Sequence, residues 1–173
     1  MQCELLQDVP SDDLRLILSF FQQRRIFRGQ TFIHKGEPGE EMFIIHSGRA
    51  VVKIAQKNIC TLSKGDIIGE VCLTQPGSAR TADLLSETDL VLYGITSDVM
   101  DRIARSYPQT VGILWKNIAR IEGRRLRNTN DRLEDVTREL AEVKKEKSEL
   151  EEQLFETTQT GFSKIKRALV SAK

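Results

Sequence analysis

The sequence predicts an α+β chain: a small all-β sandwich or barrel set among short helices, followed by a long coiled-coil helix. Three observations predict it. Over residues 26–95, Gly29, Gly36, Gly39, Gly48, Gly65, Gly69 and Gly77 punctuate short apolar segments such as TFIH, MFIIH and DLVLYGI. That is the pattern of short strands joined by turns at near-regular spacing. On either side of this stretch apolar residues recur at helical spacing. From Leu126 to Leu154 a seam steps by three and four residues, apolar except at Thr129 and Lys147, the mark of a coiled coil.

The first helix starts at Pro10-Ser11-Asp12-Asp13, where Ser11 is placed to cap and the two acids sit in the first turn. Leu14, Ile17, Leu18 and Phe21 form its core face. The basic run Arg24-Arg25 with Arg28 leads into the strands as a solvated face. Lys57-Asn58 is the expected hairpin turn, because Asn tolerates left-handed backbone. Ser97-Asp98 opens a second short helix with Val99, Ile103 and Ala104, and Pro108 separates it from a third. There Val111, Leu114, Trp115, Ile118 and Ile121 make one face that suits packing on the strands.

The heptads follow, with Leu133 and Leu140 at a positions and Val136 and Val143 at d positions. Thr129 and Lys147 interrupt the seam, which fixes register and keeps the oligomer number low. An isolated helix gains little in water, so this segment needs a partner, and a parallel homodimer is the simplest one. The expected organisation is a domain over 1–125, a dimerisation helix over 126–157 and a basic tail over 158–173. TGFSKIKRALVSAK in that tail carries four basic residues and no acidic one. It is either a frayed, disordered end or a contact for an acidic partner or a membrane surface.

With 173 residues and a net charge of +1, the chain can bury a real core and has neither the basic excess of a nucleic-acid binder nor the acidic excess of disorder. Its apolar runs fall far short of a membrane span, and MQCELLQDVP does not resemble a signal peptide. Cys3, Cys60 and Cys72 are too widely and irregularly spaced for a disulfide frame or a metal site, which fits a reducing cytoplasm. His34 and His46 have no partner at metal-ligand spacing, so no metal is expected. No nucleophile–base–orienter set is visible, so the chain is not expected to be an enzyme.

The chemistry concentrates in residues 65–84, GDIIGEVCLTQPGSARTADL. Gly69 lets backbone approach a bound group closely. A short helical turn starting near Glu70 would point amide N–H groups outward, towards an anion. Arg80 adds a planar fork that matches phosphate oxygens. Glu70 is out of place beside a phosphate unless it accepts from a neighbouring group such as a sugar hydroxyl. Together these suit a phosphorylated ribose; the bland reading is a surface loop with a solvated arginine.

IGEVCL…SARTADL resembles the phosphate-binding cassette of the cyclic-nucleotide-binding domain family. Gly29…Gly36-Glu37-Pro38-Gly39…Phe43…Gly48…Val51 resembles that family's β-roll, so the likeness covers roughly residues 5–130. The resemblance implies an antiparallel, jelly-roll-like β-roll flanked by short helices. It implies backbone contacts to the nucleotide from Gly69, Val71 and Cys72. Glu70 would take the ribose 2′-OH, Arg80 would pair with the cyclic phosphate, and Thr81 would bond the phosphate or the base. Val52, Ile59 and Leu62 fall where relatives line the nucleotide's apolar wall, although ordinary core would use the same residues. GRRLRNTNDRL is similar to the stretch that places hydroxyls against adenine, which makes Thr129 and Asn130 candidates for base contact; polar positions of an exposed helix are the other reading.

The implied ligand is cAMP or cGMP. Thr81 suits a guanine lying over the ribose, Thr129-Asn130 suit an adenine amine, and cAMP is slightly preferred. Transcription factors of the family append a helix-turn-helix, whereas the 40 residues after Leu133 are acidic-rich heptads. No specific DNA binding is therefore expected. The expected function is a cytosolic cyclic mononucleotide receptor whose ligand repositions the long helix of a coiled-coil dimer. Two alternatives stand beside it: a coiled-coil interaction scaffold with an idle pocket, and a sensor piece of a larger protein.

Overall fold

The computed structural model describes residues 3–171, with side chains up to residue 158. The chain divides into two compact units, Met1–Gly123 and Arg124–Lys173.

In the first unit a 3-10 turn over Glu4–Leu6 precedes helix α1 (Ser11–Ser19). Ser11 does not cap this helix. Pro10 stands at the cap position, and its carbonyl accepts the Leu14 N–H at 2.9 Å. Pro10 keeps extended backbone (φ −56°, ψ 141°) and the helix begins one residue later, so Ser11 falls in the first helical position. Asp13 in that turn instead accepts a hydrogen bond from the Thr110 hydroxyl.

Among the described residues eight strands follow: β1 (Gln22–Ile26), β2 (Thr31–Ile33), β3 (Glu41–Ser47), β4 (Ala50–Ile54), β5 (Lys57–Leu62), β6 (Ile67–Ile68), β7 (Asp83–Ser86) and β8 (Leu90–Thr96). They form two antiparallel four-stranded sheets, ordered β1-β8-β3-β6 and β2-β7-β4-β5. The arginine run expected to lead into the strands is itself an edge strand. β1 keeps Arg24 and Arg25 exposed, the charged character that keeps an open edge from pairing with another chain.

β3 shows how the layers are built. Successive side chains of a strand face opposite ways. Met42 and Ile44 enter one core with the helices, whereas Ile45 enters a second core between the two sheets and Phe43 packs against it. Both faces are covered, which is why this strand reads as a continuous apolar run. β8 divides likewise, Leu90 and Leu92 facing the sheet–sheet core and Ile95 the helices.

The β4–β5 hairpin turns at Ala55-Gln56, with φ of 48° and 64°, and not at Lys57-Asn58. Lys57 already pairs with Ile54, and Asn58 with Lys53. Two consecutive residues at positive φ form the two-residue turn whose twist matches paired strands, and that geometry overrides the local preference of Asn.

A four-residue helix α2 (Val71–Thr74) sits between β6 and β7. Helix α3 (Ser97–Ser106) is capped by the Thr96 hydroxyl, which accepts the Val99 N–H at 3.4 Å. Helix α4 (Pro108–Ser171) begins in this unit, where Val111, Leu114, Ile118 and Ile121 are buried in the helical core and Trp115 packs against it. Asn117 is also buried there. Its side-chain amide donates to the carbonyls of Leu5 (2.9 Å) and Gln7 (2.7 Å), tying the N-terminal segment to α4.

In the second unit the chain is the remainder of α4. Leu126, Leu133, Val136, Leu140, Val143, Leu150 and Leu154 are each 52–69% exposed. The helical backbone runs on through Gly161, since one glycine costs a helix only about 1 kcal/mol. The side chains of the basic tail from residue 159 onward lie outside the described residues.

Candidate functional site

The cassette is a turn, a short helix and a return loop, held between the β-sandwich and the helical core. After β6, Gly69 takes φ +75°, a left-handed conformation that glycine adopts freely. Glu70 follows in helical conformation as the first residue of the α2 turn. Within that turn the Cys72 N–H donates back to the Gly69 carbonyl at 3.2 Å, and the Leu73 N–H to the Glu70 carbonyl at 3.0 Å. Among the described residues, no bond of the turn claims the N–H of Gly69 or Val71. Cys72 and Leu73 point inward and anchor the turn in the helical core.

The return loop is zipped to the loop between β2 and β3. The Gly36 N–H donates to the Arg80 carbonyl and the Arg80 N–H to the Glu37 carbonyl, both at 2.8 Å. The Gly39 N–H donates to Ser78 at 2.8 Å, and the Gly77 N–H donates back to Gly39 at 3.0 Å. Pro38 and Ala79 complete an antiparallel bridge. Asp83 extends the zipper by accepting the Lys35 N–H at 2.8 Å. The backbone that carries Arg80 is therefore fixed on both sides.

The Arg80 side chain, half-buried, turns back to the α2 turn. Its Nη1 donates to the Gly69 carbonyl at 3.3 Å and its Nη2 to the Glu41 carbonyl at 2.7 Å. Both acceptors are neutral, so these bonds orient the guanidinium without cancelling its charge. The Glu41 carboxylate is turned away to Arg24, at 2.9 Å. Burial pushes the Cys72 thiol above its ordinary pKa, and the nearby Arg80 charge pulls it part of the way back. Beside Arg80, on the β1–β2 edge of the sandwich, opens a cavity of about 330 Å³ with Arg24, Phe32, Glu37, Glu41 and Phe43 in its wall.

Gly69, Glu70, Val71, Cys72, Arg80 and Thr81 thus meet in one place, with Thr81 exposed at the rim. Val52 and Leu62 pack against the sheet–sheet core from β4 and β5. Ile59 is the extra residue of a bulge, since Asn58 pairs with Lys53 and Cys60 with Val52; it is 46% exposed. Thr129 and Asn130 lie in the second unit, where the Thr129 hydroxyl donates to the Arg125 carbonyl at 2.9 Å. Among the described residues, no group of three or more His, Cys, Asp or Glu could hold a metal. His46 packs edge-on against Tyr93.

Sequence reasoning did not place Glu41, Arg24 or Cys60 at the site. Glu41 acts through its carbonyl, which every residue has, so no side-chain pattern could have revealed it. Cys60 stands directly across from Val52, and cross-strand register puts the two on one face.

Residues 23–107 match the family model described as cyclic nucleotide-binding domain. The Pycsar effector protein XpPycTIR of Xanthomonas perforans is 29% identical over 102 residues, 59% of this chain and 32% of that protein. A cGMP-dependent protein kinase of Eimeria tenella is 31% identical over 90 residues, 52% of this chain and 9% of the kinase. A CRP-like cAMP-activated global transcriptional regulator of Mycobacterium tuberculosis is 30% identical over 116 residues, 63% of this chain and 49% of the regulator. The matched part thus spans at most about half the length of these relatives. Among solved structures, the Thermus thermophilus catabolite activator protein superposes with a TM-score of 0.66 at 22% identity, covering 78% of this chain and 63% of that one. A cyclic nucleotide-binding domain from Methylobacillus flagellatus KT gives 0.67 at 19%, covering 75% and 78%. These two likenesses establish the β-roll fold.

Proposed function

We propose, from the premise that residues 23–107 are a cyclic nucleotide-binding domain, that the chain is a receptor module for a cyclic mononucleotide, cAMP ahead of cGMP. The observation that carries this reading is the Arg80 guanidinium, held by two neutral carbonyls beside the α2 turn. Its charge is left to an anion, and its fork suits the oxygens of a cyclic phosphodiester.

In this reading Arg80 pairs with the phosphate, and the N–H groups of Gly69 and Val71 add amide dipoles, while Cys72 closes the turn behind them. Glu70 accepts the ribose 2′-OH, Thr81 bonds phosphate or base at the rim, and Val52, Ile59 and Leu62 form the apolar wall. Thr129 and Asn130 are the base-contact candidates that the sequence resemblance offers. Relatives named for cAMP and for cGMP both support a cyclic nucleotide, and they leave the choice to the base contacts. Ligand contact made in only one arrangement of α4 biases that helix about Gly123. The module works without catalysis, in the cytoplasm, as a parallel homodimer through residues 126–157.

The test is calorimetric titration of the full chain with each nucleotide. Wild type should bind in about the micromolar range. Arg80→Ala should lose about 2–5 kcal/mol, because a buried phosphate charge is left unpaired. Unchanged binding in that variant removes Arg80 from the site. If neither nucleotide raises the melting temperature at millimolar concentration, the second reading takes over. That reading is an interaction scaffold, favoured by the exposed apolar seam of the second unit.

A further inference from the structure

Beyond the residues that would touch a nucleotide, one contact decides where the Arg80 fork can lie. A Cβ added to Gly39 would stand 2.9 Å from Arg80 Cζ, 3.0 Å from Nε and 3.1 Å from Nη1. Real side chains do not pack that tightly, so the flank of the guanidinium rests on the bare backbone of Gly39. Gly39 is buried, and its own backbone cannot retreat, because its N–H and C=O are both bonded to the return loop, at 2.8 and 3.0 Å. Of the two groups, the side-chain head has to give way.

Gly69 touches the same fork, with a Cβ at 2.0 Å from Nη1, but there φ is +75° and any side chain would also strain the turn. Gly39 has no such φ requirement. A methyl group at 39 therefore displaces the fork and leaves the fold in place. The carbonyls of Gly69 and Glu41 accept from the fork only where it now lies, so displacement also breaks the bonds that aim it.

We infer that Gly39 is a positioning residue for the anion site, the floor on which the Arg80 guanidinium is laid out for a phosphate. This rests on the cyclic nucleotide reading for its ligand. In the full chain, Gly39→Ala should weaken whichever of cAMP and cGMP wild type binds by about tenfold or more, the scale that misplaced binding geometry produces. Its melting temperature without nucleotide should fall by only a few degrees, the scale of the lost Arg80 bonds. Gly112→Ala is the control, since nothing lies within 4 Å of a Cβ there; it should bind as wild type.

A merely structural role is separated by two further measurements. In an Arg80→Ala background, followed by thermal shift at millimolar nucleotide, Gly39→Ala should weaken binding no further, since it acts through that side chain. In the nucleotide-free protein, the Arg80 Nε–H resonance should move in Gly39→Ala and stay put in Gly112→Ala. Wild-type affinity in Gly39→Ala overturns the inference, as does an equal loss in the Arg80→Ala background or a collapsed melting temperature. If wild type itself binds neither nucleotide, the receptor reading has failed, and this inference fails with it.

Discussion

At the scale of single residues, the three cysteines separate by environment. Cys3 and Cys72 are buried, and Cys60 is exposed on β5. Burial pushes both inner thiols up, with backbone N–H groups opposing it at Cys3 and Arg80 opposing it at Cys72. A thiol reagent should therefore modify Cys60 fast and the other two only as fast as the fold opens. Nucleotide should slow Cys60 if the ligand lies along Val52, its cross-strand partner. Three equal rates would contradict this burial pattern. The sign of the pH effect follows from the same shifts. An unfolded thiol ionises at about 8.5, while the folded Cys3 and Cys72 hold their protons to higher pH. Above that point the unfolded chain binds fewer protons, so stability is flat below it and falls as pH rises through the folded values. Denaturant midpoints measured between neutral and alkaline pH check this, and a rise would refute it.

At the scale of elements, the β4–β5 hairpin holds two non-glycine residues, Ala55 and Gln56, at positive φ. Each L residue there carries a steric cost of about 1–2 kcal/mol that glycine does not. Gln56→Gly should accordingly stabilise the first unit by about 1 kcal/mol, read as a higher denaturant midpoint with an unchanged slope. A lower midpoint would mean that the Gln56 side chain contributes more than the turn geometry costs. Register explains why the turn was misplaced in the sequence reading. Lys57 and Asn58 are claimed by pairing with Ile54 and Lys53, and a local turn preference is weaker than a ladder of strand bonds. Helix α1 teaches the same point in reverse: Ser11 is a good cap by composition, yet Pro10 precedes it and takes that position.

At the scale of the whole molecule, the first unit has its own two cores, and the second has an apolar seam open to solvent. A chain ending at Gly123 should fold and remain monomeric. The full chain should be dimeric at micromolar concentration, with a melting temperature that rises with protein concentration for the seam. Sedimentation of both forms checks this. A full chain that stays monomeric throughout removes the paired helix and with it the dimeric part of the function.

Periodicity alone carried the classes of element. The 3.6-residue pattern marked the helices, the glycine-punctuated runs marked the strands, and the heptads marked the apolar stripe beyond Leu126, because each reports which faces of a local structure shun water. The cassette was legible for a similar reason: glycine, glutamate and arginine have properties that no neighbour needs to supply. Tertiary structure decided what depends on residues far apart in the chain. It laid Arg80 on Gly39, bonded its fork to the carbonyls of Gly69 and Glu41, and turned the Glu41 carboxylate to Arg24. The two carbonyls that hold the fork are backbone atoms that every residue shares, so only the folding of two loops against each other could single out which ones hold the charge.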